Sequence, residues 1–291
     1  MAKVRNAANT IRQGRIGENT WYVRDGVQVV RQRLQNSNYG EGARRSSAQQ
    51  ERRAKWGNLV NFYKVIKSWQ PKAYESLKKG VTDYNAFMQL NANSTPVYLT
   101  RQLVEAGGAV VAGYKVSKGT LPALNVYAGS IQPSVTIGIF TDLEVSSSTT
   151  VAQLTSAILS TYPEYQDGDN LAFIFLKNSV GDDGVPRVNA DYREITLLTT
   201  DSSTVESHGI SLSKPEAAAP ISFRLEDGTI STITAAVAIH TRQAAGGLQV
   251  SSQSLVVASD SILNQYTTPA AKAAAIASYG VDGDVPLAPG A

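Results

Sequence analysis

There is no cysteine in the sequence, which excludes disulfides and thiolate metal sites, though a cysteine-free chain suits either redox setting. Histidine is almost as scarce: His208 sits in a polar stretch and His240 ends an Ala/Val run. Neither has a metal-binding or general-base partner at a readable spacing, so both are expected to be structural or surface residues. The G-x-S-x-G, H-E-x-x-H, Walker and dinucleotide fingerprints are missing too, so we expect neither an enzyme nor a cofactor. No window approaches 18 uninterrupted apolar residues, so no transmembrane helix and no membrane contact are predicted. The stretch MAKVRNAANTIRQGRIG is basic but lacks an apolar core of signal-peptide length, which predicts a protein made in the cytoplasm. Asp167-Gly168-Asp169-Asn170 begins like a calcium loop, yet position twelve is Asn178, where a bidentate Glu is required. Asp182-Asp183 and Asp282-Gly283-Asp284 are shorter still, and turn chemistry explains all three acidic runs.

What is present is a charge asymmetry. Residues 1–80 carry 17 Lys and Arg against 5 Asp and Glu, a net of +12, while residues 81–291 carry 10 against 19, a net of −9. A hydrophobic content of 42% with 18% charged residues fits a folded chain. The basic segment contains Arg12, Arg15, Arg24, Arg31, Arg33, Arg44, Arg45, Arg52, Arg53 and Lys55, with Trp56 beside the last of them and Tyr39 further upstream. These residues fit three readings: contact with a neighbouring protein subunit, phosphate neutralisation with Tyr39 and Trp56 stacking on bases, or a solvated basic face. The acidic remainder favours the first, because a head-to-tail contact can lay one subunit's arm across the next subunit's body.

Local patterns predict an α+β chain. The runs TWYVR and VQVVRQR flank Asp25-Gly26, a two-residue hairpin signature. A long helix is predicted from Ser46 or Ser47 to just before Pro71, with Gly57 marking a tight crossing and apolar residues on more than one face. Pro71 is placed to open a second helix running to about Asn91, broken at Gly80. Strands are predicted at 96–103, 109–116, 123–128, 134–140, 171–176, 194–199, 221–225, 229–239, 248–250 and 254–257. A helix over TTVAQLTSAILSTY, capped by Ser148 or Thr149, interrupts them. Residues 179–192 read as a surface loop, 202–220 as an irregular connection, and Asp227-Gly228 as a second hairpin turn. Thr268-Pro269 opens a final helix ending at Gly280, followed by a tail. The expected organisation is therefore a basic hairpin-plus-helical arm (1–94), a β-rich domain with one helix (95–200), a second β-rich region (201–260), and a carboxy-terminal helix and tail (261–291). The β-regions form one or two antiparallel β-sandwich domains.

Five phrases carry a resemblance. They are the GRIG glycines with Trp21 and the Val-Arg pairs after it; Gln50-x-x-Arg53-x-Lys55-Trp56; Thr82-Asp83-Tyr84-Asn85-Ala86; Val116-Ser117-Lys118-Gly119-Thr120-Leu121-Pro122; and Ser251-Ser252-Gln253-Ser254-Leu255. In this order the chain resembles a domain family of unknown function from Bacteroidetes bacteria and their phages, which implies an architecture and no activity. In general character it also resembles structural proteins of crAss-like bacteriophages, such as the rings stacked beneath the portal of a short-tailed virion. That resemblance implies a virion location, a ring-forming homo-oligomer, and contact with other virion proteins such as portal or tail proteins. Contact between the arginine-rich arm and DNA is the alternative.

Overall fold

The computed structural model describes residues 14–16, 19–24, 27–32, 47–77, 80–123, 125–128, 135–214, 216, 219–225, 233–258 and 260–280. The strands among them are β1 (Gly14–Ile16), β2 (Asn19–Arg24), β3 (Val27–Gln32), β4 (Lys115–Ser117), β5 (Asn125–Ala128), β6 (Val135–Ile139), β7 (Asn170–Val180) and β8 (Pro186–Thr196). They continue as β9 (Ile210–Ser213), β10 (Ile221–Leu225), β11 (Ala235–Ala244), β12 (Gly247–Val250), β13 (Gln253–Ser254) and β14 (Val256–Val257). The helices are α1 (Ser47–Ile66), α2 (Asp83–Asn91), α3 (Arg101–Glu105), α4 (Val151–Thr161), α5 (Ser261–Tyr266) and α6 (Pro269–Gly280).

The expected α+β class is observed. A central antiparallel sheet has the order β12-β11-β7-β8, with β14 pairing the other end of β11; a second antiparallel sheet has the order β5-β6-β10-β9. Along β7, Leu171, Phe173 and Phe175 enter one core and Ala172, Ile174 and Leu176 the other, as the period-two alternation of a strand dictates. The first core lies between the two sheets in a sandwich-like arrangement and is closed by Val151, Leu154 and Ile158 of α4. The second packs the opposite face of the central sheet against Leu59, Phe62 and Ile66 of α1 and Phe87 of α2. Burial on both faces is why β7 reads as an almost unbroken apolar run. Here Phe62 and Tyr114 pair at 5.0 Å between ring centroids, and Tyr63 and Tyr84 at 5.1 Å.

The amino-terminal hairpin forms as the sequence suggests, with Arg24 opposite Val27 and β1 on the outer edge of β2; the turn residues themselves lie outside the described set. Helix α1 also starts where predicted, and Gly80 (φ 83°) breaks the chain ahead of α2, whose cap Thr82 accepts from the Asn85 amide. Helix α6 begins at Pro269, with Thr268 Oγ1 accepting from the Ala271 amide. The Thr150 side chain caps α4 in a capping box with Gln153, one residue beyond the expected Ser148 or Thr149.

Six expectations are corrected. Pro71 opens only a single 3-10 turn at Gln70–Lys72, because Ala73 and Glu75 are drawn into backbone bonds with Lys118 that extend the chain. Residues 96–103 are not a strand: 96–100 are irregular, and Thr100 Oγ1 caps α3 by accepting from the Leu103 amide. The predicted loop at 179–192 is instead the turn and much of the second strand of the long β7–β8 hairpin. Gly184 takes φ 72° at that turn, which favours glycine, and Asp183 Oδ1 accepts from the Val185 amide. Within 202–220 lies strand β9, paired with β10. The Asp227-Gly228 turn lies outside the described residues, but the strands flanking it do not form a hairpin, since β10 pairs with β6 and β9 while β11 belongs to the central sheet.

The sixth correction concerns 109–116, of which only the last two residues enter a strand (β4), although Ala109, Val110, Val111 and Ala112 are all buried. Asparagine side chains replace the missing strand partners. Asn58 accepts from the Val110 amide (2.7 Å) and donates to the Val110 carbonyl (2.8 Å). Asn178 accepts from the Val111 amide, and Asn91 both accepts from the Lys115 amide and donates to its carbonyl. A primary amide carries the same donor and acceptor as a peptide group, so the segment stays satisfied without a neighbouring strand.

Two of the phrases noted above meet in space. Ser117 Oγ donates to the Ser251 carbonyl and accepts from the Gln253 amide, and Ser252 Oγ bonds both the amide and the carbonyl of Gly119. A Cβ on Gly119 would stand 2.0 Å from the Val250 carbonyl oxygen, a backbone atom that cannot swing aside. We therefore expect Gly119→Ala to lower stability by about 2–3 kcal/mol in urea unfolding, within the overpacking range. A loss below about 0.5 kcal/mol would show that the two phrases are not locked together.

Candidate interface and a buried charged centre

Positions on α1 with solvent access recur at helical spacing: Gln49, Arg52, Arg53, Trp56, Lys64 and Lys67 just past its end, with Val60 and Tyr63 half-buried among them. They make one stripe about 27 Å long, from the 1.5 Å rise per residue. Trp56 is 39% exposed, which is high for a residue of its size. Arg52, Arg53, Lys55 and Lys67 have no acidic partner among the described residues, while Lys64 is held by Asn61 Oδ1 at 2.8 Å. Glu51, the helix's own acid, is turned aside to Lys272 of α6 at 2.6 Å.

The opposite side of α1 is fixed to the body. Asn58 also donates to Tyr114 Oη, and Asn61 donates to the Val104 and Gly108 carbonyls at 2.9 Å each. Gly57 is the expected crossing point, because a Cβ there would lie 2.6 Å from Val104 Cγ2 of α3 and 3.0 Å from Tyr279 Oη of α6. The stripe is thus displayed on a rigid helix and does not hang on a free arm.

The other candidate residues are dispersed. Arg31 is exposed on β3, and its position falls in one cross-strand row with Thr20 and Arg15. Arg24 ends β2. Arg12, Arg33, Arg44 and Arg45 lie outside the described residues, as does Tyr39. Of the candidates, the structure therefore brings Arg52, Arg53, Lys55 and Trp56 together on α1.

Sequence reading missed a second constellation. Asp169 and His240 are both buried, and Asp169 Oδ2 accepts from His240 Nε2 at 2.8 Å. Arg242 grips the same carboxylate with Nε to Oδ1 (2.6 Å) and Nη2 to Oδ2 (2.7 Å), and the Gln166 amide adds a fourth bond. His240 Nδ1 faces the Pro122 carbonyl at 3.1 Å, and its ring stacks on Tyr165 at 4.4 Å. Neither the carboxylate nor the carbonyl can donate, so the ring satisfies both only when it carries two N–H groups. Burial raises the Asp169 pKa, but the bonds from Arg242, His240 and the Gln166 amide outweigh it and pull the carboxyl down to about 2. The centre joins the start of β7, strand β11, the approach to β5 and the turn after α4. That placement, with four hydrogen bonds converging on the Asp169 carboxylate, suits a tie between elements.

The acidic run at 167–170 is used in the same way, as Asp167 accepts from the Thr199 amide. Among the described residues no group of three His, Asp or Glu could hold a metal ion, and no helix is long and apolar enough to cross a membrane. His208 Nε2 lies 3.2 Å from Ser203 Oγ, and Asp201 Oδ1 accepts from the Ser203 amide. No protein-family model, curated protein or solved structure matches the chain.

Proposed function

We propose that this chain is a non-enzymatic structural subunit of a bacteriophage virion, a ring or connector component near the portal and tail that assembles through its basic amino-terminal region. The observation that carries the reading is the α1 stripe: Arg52, Arg53 and Lys67 without acidic partners among the described residues, beside an exposed Trp56, on a helix whose other side is anchored. Arginine and tryptophan are the residue types that concentrate binding energy at protein contacts. The buried Asp169–His240–Arg242 centre fits this reading as a tie between elements. The resemblance to phage ring proteins supplies the virion setting, and the −9 charge of residues 81–291 supplies a complementary surface in every copy.

The same arginines support a second reading, phosphate neutralisation on DNA, with Trp56 as a stacking platform. Light scattering of the purified protein decides between them. A structural subunit is expected to exceed the 31.1 kDa monomer mass at low salt and to fall towards it as salt rises. A monomer at every ionic strength, with salt-dependent retention on DNA, would replace the first reading by the second.

A further inference from the structure

Two helical surfaces of this molecule carry exposed charge of opposite sign that no ion pair among the described residues takes up. Leu59, Phe62 and Ile66 place α1 on the face of the central sheet that carries Ala172, Ile174 and Leu176. Leu154 and Ile158 place α4 on the face that carries Leu171, Phe173 and Phe175. The two helices therefore lie on opposite faces of one sheet. The basic stripe runs along α1. The flanks of α4 carry Asp142 and Glu144 before it and Glu164 after it, all exposed and none in an ion pair among the described residues. Two cations reach this flank through backbone carbonyls: Lys214 Nζ bonds those of Thr141 and Leu143, and Arg242 Nη2 bonds that of Glu164.

We infer that the α1 stripe of one copy docks on the α4 flank of a second copy, with Trp56 at the centre and Arg52 and Arg53 facing Asp142, Glu144 and Glu164. This rests on the reading of the chain as an assembling subunit, and it adds the surfaces and the symmetry. A two-fold contact presents the same patch on both partners, and here it would set the basic stripe against itself. Complementary patches on opposite faces give a head-to-tail contact, in which a pair keeps a free flank on one copy and a free stripe on the other. Association then continues until a ring closes or a filament forms. A second copy fits better than DNA because the complementary charge is present on every molecule, on the side that a head-to-tail contact requires.

Two neutralised variants test the contact with folds intact, since every altered side chain is exposed: Arg52→Gln/Arg53→Gln, and Asp142→Asn/Glu144→Gln/Glu164→Gln. Unfolding curves that match wild type establish that both are folded. At low salt, wild type is expected to form species larger than a dimer, and each variant alone is expected to associate at least about 10-fold more weakly, as loss of close charge pairs does. Mixed in equal amounts, they should form a heterodimer and nothing larger, because the first keeps only a working flank and the second only a working stripe. If wild type assembles and the variants assemble equally well, the docking surfaces assigned here are wrong while the subunit reading stands. If wild type is monomeric at all salt concentrations, both fall. Retention of DNA by monomeric wild type, lost on Arg52→Gln/Arg53→Gln, would give the stripe to nucleic acid.

Discussion

Asp169→Ala is expected to cost about 3–5 kcal/mol of unfolding free energy at neutral pH, the scale for removing one partner of a buried ion pair. The carboxylate accepts four hydrogen bonds, three of them from Arg242 and His240. Its removal strands the wholly buried His240 ring and leaves the Arg242 guanidinium, 17% exposed, without its anion. It also frees the turn around Gln166 from β7 and β11. The pH dependence has a definite sign. A carboxyl lowered from 3.8 to about 2 stabilises the folded state above its unfolded pKa and loses that contribution as pH falls through its folded one. The gap between wild type and Asp169→Ala should therefore be full at pH 6, begin to narrow below about pH 4, and be smallest near pH 2. Urea unfolding followed by far-ultraviolet dichroism at these three pH values measures it. A difference below about 1 kcal/mol at pH 6 would mean that the centre is not a tie.

How much of this was readable from sequence follows from the range of each interaction. Helices α1, α4 and α6 announce themselves because their signals are local: a hydroxyl residue at the cap, Pro269 at the first turn, Gly80 at a break. Strand β7 is legible because both of its faces are buried. Strand β8 is not, because it is a half-exposed edge strand whose Asn, Asp and Arg residues dilute the alternation. One signal was available there: Asp183-Gly184 is the same dipeptide that marked the amino-terminal hairpin. The second Asp-Gly pair misled for the opposite reason, since β10 found longer-range partners in β6 and β9. The basic stripe was half-legible, because helical spacing groups Arg52, Arg53 and Trp56, but only packing shows that they face solvent. The Asp169–His240 centre joins residues 71 apart in sequence, so no local spacing could have disclosed it.

The asparagine supports were also hidden, and they carry the second large expected effect. Asn58→Leu keeps the side-chain volume close to native and should still cost about 3 kcal/mol or more, because it orphans the Val110 amide, the Val110 carbonyl and Tyr114 Oη at once, at roughly 1–3 kcal/mol for a buried unsatisfied group. None of these groups can turn to water, since Val110 and Tyr114 are buried and burial pushes the Tyr114 phenol pKa upward despite its bond to Asn58. Asn58→Asp separates bonding from shape. It keeps an acceptor for the Val110 amide but sets a carboxylate against the Val110 carbonyl, so its loss should be larger at pH 7 than at pH 4, where a protonated carboxyl can donate. Amide exchange gives the local readout: protection at Val110 should fall in both variants before the β7–β11 ladder is affected. If Asn58→Leu were as stable as wild type, the irregular segment at 109–114 would have to be held by packing alone. The anchoring of α1, and with it the fixed display of Arg52, Arg53 and Trp56, would then need another cause.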